Sequence, residues 1–177
     1  RTSDDAFLPT DAQRETLHDM GTLHVLCFDS DAPYVYRRQD GEPTGMIVSI
    51  LERFAQEVGL TLDYTFCDSR NAMSDTLAAG SYDLLIGAHI SSRTCAELGF
   101  VNSAPIISSP LAYVQRPTSA SAGGATIAIM SGLEDLIDTS SFENTAVYDT
   151  AEECLAAVEH KKADVAAGNR SVMEYYI

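Results

Sequence analysis

Three consecutive apolar residues, Leu84-Leu85-Ile86, constrain this chain more than any other feature. They do not alternate with polar residues, so the run reads as a strand covered on both faces, as in the parallel sheet of an α/β fold. The stretch from Asp83 to Arg93 then changes character. Gly87 lets a backbone or a ligand come close where the strand ends, and His89, Ser91, Ser92 and Arg93 follow as hydrogen-bonding and anion-binding groups. Ligands of open parallel sheets sit just beyond the carboxyl ends of the strands. This loop is therefore read as one wall of a small-molecule cleft.

The rest of the chain supplies matching elements. Thr10 caps a short helix to about Leu17, and Leu23–Phe28 is an apolar strand followed by the polar loop Asp29-Ser30-Asp31-Ala32-Pro33 and by Tyr34 and Tyr36. Asp40-Gly41-Glu42-Pro43 closes a hairpin. Ile47, Ile50, Leu51, Phe54, Ala55 and Val58 recur at helical spacing before Gly59, a stop at C′. Leu60–Phe66 alternates as a strand, a helix from about Asn71 ends at Gly80, and Tyr82–Gly87 follows. Phe100–Pro117 is extended, with Leu111–Val114 a strand, and Thr118–Gly124 is a small-residue linker. The pattern then repeats: strand Thr126–Met130, loop Ser131-Gly132, short helix Leu133–Ile137, strand Thr145–Tyr148, a capping box at Thr150 and Glu153 opening a helix to about Lys161, strand Ala163–Ala167, loop Gly168-Asn169 and a last helical turn or two from Ser171. The expectation is two β/α lobes joined by a hinge, with a ligand cleft between them. The domain boundaries expected are 1–22 for a leader and short helix, 23–110 for lobe one and 111–177 for lobe two.

Bulk properties narrow the partners. A formal net charge of -15 in 177 residues argues against nucleic acid or an anionic membrane, while one local Arg still outweighs a distant screened field for a small anion. No apolar run approaches the roughly 20 residues of a membrane span, and the abrupt start at Arg1 reads as a mature or excised fragment. Cys27, Cys67, Cys95 and Cys154 form no C-x-x-C pair and lack His at ligand spacing, so no metal site and no cofactor is expected. Cys27 and Cys154 read as small core residues; Cys67 and Cys95, near loops, are either free or a disulfide in an oxidising compartment.

The order and wording of these segments resemble the type 2 periplasmic solute-binding proteins, in the amino-acid-binding family 3 branch. The resemblance is carried by Asp40-Gly-Glu-Pro-Thr-Gly-Met-Ile-Val-Ser-Ile-Leu51, Gly80-Ser-Tyr-Asp-Leu-Leu-Ile-Gly87, the stretch from Arg93 through Phe100 to Pro105, Ile127-Ala-Ile-Met-Ser-Gly132 and Ala163-Asp-Val-Ala-Ala-Gly168. The helix before the first strand, Pro9 to Met20, resembles the variant found as extracytoplasmic sensor domains that feed membrane-bound histidine kinases or cyclic-dinucleotide enzymes. What the resemblance implies is a non-enzymatic, extracytoplasmic, membrane-tethered sensor that binds an amino acid or another carboxylate and signals by lobe closure. Its implied partners are that solute and a kinase or cyclase output domain. An ABC importer's binding protein, a dehydratase-like enzyme on the same fold and a ligand-free interaction module are the alternatives. Four departures stand out: Ser49 replaces an acid in the first long helix; the loop before Arg93 is one residue short of the family's carboxylate-binding arginine; Asn169 replaces the acid that holds a ligand ammonium; and the family's return of the chain to lobe one does not follow Ile177.

The candidate ligand-binding residues are Asp29, Tyr34, His89, Ser91, Ser92, Arg93, Ser131, Gly132 and Asn169. Arg93 has the planar fork that grips a carboxylate, with Ser91 and Ser92 as further donors; a surface arginine and turn serines are the plain alternatives. Tyr34 either covers the ligand or fills the core. Asp29, like its neighbour Asp31, meets a ligand amine or is a solvated loop acid. Ser131 and Gly132 precede a helix start, where free N–H groups suit an anion, or form an ordinary turn. Asn169 ends a strand facing the cleft, and His89 reads as structural rather than catalytic.

Overall fold

The computed structural model describes residues 9–29, 31–67, 72–87, 92–117 and 125–177. Helix α1 (Asp11–Met20) starts at a reciprocal capping box between Thr10 and Gln13. Strand β1 (Thr22–Phe28) is the centre of a three-stranded parallel sheet flanked by β4 (Thr61–Cys67) and β5 (Leu84–Ile86). Between β1 and β4 lie a small antiparallel ladder of β2 (Tyr36–Arg37) and β3 (Pro43–Thr44) at the expected hairpin, and helix α2 (Met46–Val58). Gly59 ends α2 in the left-handed conformation, with its N–H on the Ala55 carbonyl, as the sequence requires. Helix α3 (Met73–Ala79) precedes β5, and α4 (Ser92–Glu97) follows it.

The second sheet has the order β6-β9-β7-β8, from β6 (Leu111–Gln115), β7 (Thr126–Met130), β8 (Asn144–Tyr148) and β9 (Val165–Asn169). β9, β7 and β8 run parallel, and β6 pairs antiparallel to β9 at the edge. Helix α5 (Ala151–Glu159) is capped by Thr150 and Glu153, and α6 (Arg170–Tyr176) starts at Asn169. Val25 and Cys27 of β1 share one hydrophobic cluster with Tyr34, Val35 and Val48, and the same cluster runs on into Ile127, Ile129, Met130, Leu133 and Met173 of the second sheet and its helices. The opposite face of β1 packs Leu26 and Phe28 against Met73, Leu77 and Leu85.

Three expectations are corrected. Residues 92–97 are helix rather than loop, braced by an Arg93–Glu97 pair four residues apart. Leu133–Ile137 makes a single closed turn, Ile137 N–H to Leu133 carbonyl, and no helix, since five residues do not repay helix nucleation. Gly168-Asn169 is the end of β9, opposite Ala112 and Leu111, and not a loop. Of the two states left open for Cys67 and Cys95, the structure shows no disulfide; all four cysteines are buried thiols, and Cys67 Sγ lies 3.6 Å from the Thr76 hydroxyl. Burial, with Asp29 nearby for Cys27 and Glu153 for Cys154, pushes the Cys27 and Cys154 thiols up to about 12, which makes them inert core groups.

Candidate functional site

The most informative local structure is the turn after β1. The Asp31 N–H donates to the Val35 carbonyl, and the Tyr34 and Val35 N–H groups both donate to the Asp31 carbonyl, across a cis Ala32-Pro33 bond. The carbonyls of Pro33 and Tyr34 in turn accept from the N–H groups of Met46 and Ile47, which open α2 and have no partner within the helix. Gly45 makes this possible: its φ is +117°, and a Cβ there would lie 2.2 Å from the Tyr34 carbonyl oxygen. The loop is thus sewn onto a helix end and holds Asp31 (4% exposed) and Tyr34 (8% exposed) in place.

Asp31 lines a crevice whose other wall comes from the second sheet and the turn and helices packed on it: Met130, Leu133, Ala151, Gly168, Asn169, Val172 and Met173. Its empty space is about 180 Å³, part of it open solvent. The Tyr34 hydroxyl reaches Asn169 Oδ1 at 3.5 Å. That oxygen also accepts from the N–H groups of Ser171 at 3.0 Å and Val172 at 3.4 Å, so Asn169 is both the cap of α6 and a lobe-to-lobe contact. Nearby, the rings of Tyr36 and Tyr175 lie 5.7 Å apart. The rim is acidic: burial and then the charges of Glu152, Tyr175, Asp29 and Asp31 all raise the Tyr176 hydroxyl above its usual range.

The other candidates are spread more widely. Asp29 accepts the Arg37 N–H at 2.8 Å and faces the Arg37 guanidinium, which stacks over Phe66 at 4.5 Å. Ser131 gives its N–H to the Tyr148 carbonyl, and Gly132 (φ +89°) gives its N–H to Glu134 Oε2 at 2.5 Å, where a ligand anion was expected. Ser92 accepts from Asn102 Nδ2 at 2.9 Å. Arg93 is 88% exposed, paired with Glu97 at 3.1 Å, and is not among the residues lining the crevice. His89 and Ser91 lie outside the described residues. The structure therefore brings together Tyr34 and Asn169, and leaves Arg93, Ser92 and Asp29 engaged locally. Asp31 was the residue undervalued from sequence, because loop acids are usually solvated; the adjoining X-Pro bond and the following aromatic were the signals that this turn is fixed. No group of three or more His, Cys, Asp or Glu poised for a metal is found among the described residues.

Two lobes of parallel β/α units, bridged at strand ends by polar groups, define the periplasmic-binding-protein type 2 fold. The family model for bacterial extracellular solute-binding proteins, family 3, matches residues 23–121, more than half of the chain, and the chain belongs to that family. Among solved structures, it is similar to the periplasmic VFT2 domain of BvgS from Bordetella pertussis, with a TM-score of 0.77 and 19% identity over 96% of this chain and 75% of that one. It is also similar to the ancestral amino-acid-binding protein AncCDT-1, described as a precursor of cyclohexadienyl dehydratase (TM-score 0.72, 16% identity, 92% and 77% covered). A third similar structure is an ancestral arginine-binding protein bound to glutamine (0.68, 16%, 88% and 72%). No curated protein matches the sequence. The described residues contain no helix long and apolar enough to cross a membrane.

Proposed function

We propose that this chain is the solute-recognition part of an extracytoplasmic sensor. In this reading a small amino acid or carboxylate bridges the lobes, and the lobe movement is passed to a membrane-anchored kinase or cyclase. The observation that carries it is the meeting of Tyr34 and Asn169 across the crevice, Asn169 at the carboxyl end of β9 and Tyr34 in the turn that follows β1. The likeness to a sensor's VFT2 domain supports signalling, and the likeness to amino-acid-binding proteins supports the ligand class. Those latter neighbours equally favour a second reading, an importer's binding protein, which a downstream output domain in the full-length gene would exclude. The reading is non-enzymatic.

Tyr34 and Asn169 form the centre of the proposed site; Asp29, Ser92 and Ser131 remain candidate contacts from their local partners, and His89 and Ser91, outside the described residues, remain candidates from sequence. Arg93 joins by exchanging Glu97 for a ligand carboxylate, which its exposure permits, and Gly132 by exchanging Glu134. The uncharged Asn169 favours ligands in which the carboxylate, rather than an ammonium, contributes most. Calorimetric titration and thermal shift against the common amino acids and small mono- and dicarboxylates test this. At a hundredfold excess over Kd, binding stabilises the fold by about 2.7 kcal/mol, and Arg93→Ala weakens carboxylates selectively. Silence across the whole panel by both methods rejects the reading.

A further inference from the structure

The polar ends of the crevice are already served by the chain itself. Asn169 Oδ1 faces three donors, the N–H groups of Ser171 and Val172 and the Tyr34 hydroxyl, against two lone pairs. The Gly132 N–H is held by Glu134. Asp31 is buried at the crevice wall, opposite Met130, Leu133, Val172 and Met173. The apolar packing does the same: Tyr34, Val35 and Val48 of lobe one belong to one continuous cluster with Met130, Leu133 and Met173 of lobe two. The Tyr36–Tyr175 ring pair adds a second bridge.

We propose that Tyr34 is a built-in latch: the chain's own groups hold the lobes closed, and a solute acts by displacing Tyr34 from the Asn169 end of the crevice rather than by causing closure. The inference rests on the solute-binding reading for what displaces the latch, while the closed resting state stands on the packing alone. The 3.5 Å hydroxyl contact is long for a hydrogen bond, so the ring's packing carries most of the latch. Apparent solute affinity is then reduced by the fraction of molecules with the latch withdrawn.

The test places spin labels at Glu57→Cys on α2 and Glu143→Cys before β8, both exposed, with the four native thiols protected by burial. Pulsed EPR distances are read without added solute and with a mixture of the twenty amino acids. The expected result is a single short distance before any addition, lengthened by several ångström in Tyr34→Ser. Tyr36→Ser, which removes the second bridge without entering the core, broadens the distribution toward longer distances and covers the case in which Tyr34→Ser fails to fold, as judged by circular dichroism. A long distance in the unmodified protein that shortens only on addition, or distances unchanged in the folded variants, overturns the latch. Failure of the solute reading shows separately, as thermal-shift silence with the short distance intact.

Discussion

The two sheets are sealed unequally. In the second lobe β7 is buried from Ile127 through Met130, and Ala166, Ala167 and Gly168 of β9 are buried beside it, under α5 and α6. In the first lobe only β1 is comparably buried; the three residues of β5 are all half-buried, and the extended segment that follows α4 leaves Val101 94% exposed. The difference separates the candidate site into two kinds of wall. Tyr34 and Asn169 stand on the well-sealed parts, one sewn to α2 and the other at the β9–α6 junction. Arg93 stands on the thinly covered part, where its ion-pair partner among the described residues is on its own helix. Sites are positioned most precisely when their supporting side chains are locked by packing, so the Tyr34–Asn169 pair is the packed wall of the resting state, and the arginine side is the exposed, adjustable one.

Substitutions on either side of that contrast test it, the interior strand β7 against the edge strand β5. Ile129→Ala in β7, at 1% exposure within the continuous core, removes packing that cannot relax and should cost about 4 kcal/mol in urea unfolding. Gly45→Ala comes next. It forces a side chain into left-handed backbone against the Tyr34 carbonyl, and is expected to cost on the order of 3 kcal/mol. It should also loosen the Asp31–Val35 turn, seen as faster amide exchange at Met46 and Ile47. Leu85→Ala in β5, half-buried beside Leu26 and Phe28, should cost only about 1–2 kcal/mol. A loss at Leu85 as large as that at Ile129 would remove the claim that the sheets are sealed differently.

The same contrast explains what sequence could and could not reveal. Apolar runs and period changes are local, so β1, α2, β4, β5, β7 and α5 could all be read from spacing, and the capping box at Thr150 and the stop at Gly59 were visible as chemistry. The turn after β1 was not, because Asp31 and Tyr34 owe their burial to partners elsewhere in the chain: α2 supplies the N–H groups and the second lobe the far wall. The helix at Arg93 was hidden for the opposite reason. Its six residues show no apolar periodicity, and an i,i+4 ion pair with a loop-like serine at the start reads equally well as a polar loop. Asn169 was singled out by position, yet its second task, capping α6, follows from where β9 ends, which the strand's apolar pattern placed two residues early.

The smallest expected effect falls on Arg93 and sharpens the comparison most. Its pair with Glu97 is exposed on both sides, and such pairs are worth less than about 1 kcal/mol and weaken with salt. Arg93→Ala should therefore shift the unfolding midpoint by no more than about 0.5 kcal/mol equivalent, with the difference shrinking further in 0.5 M salt. If Arg93 instead serves the cleft, the substitution leaves stability alone and acts on carboxylate binding, and Glu97→Gln, which frees the guanidinium, strengthens that binding. A large stability loss in Arg93→Ala would mean that the arginine is built into the fold as firmly as Tyr34, and the division into a fixed wall and an adjustable one would fail.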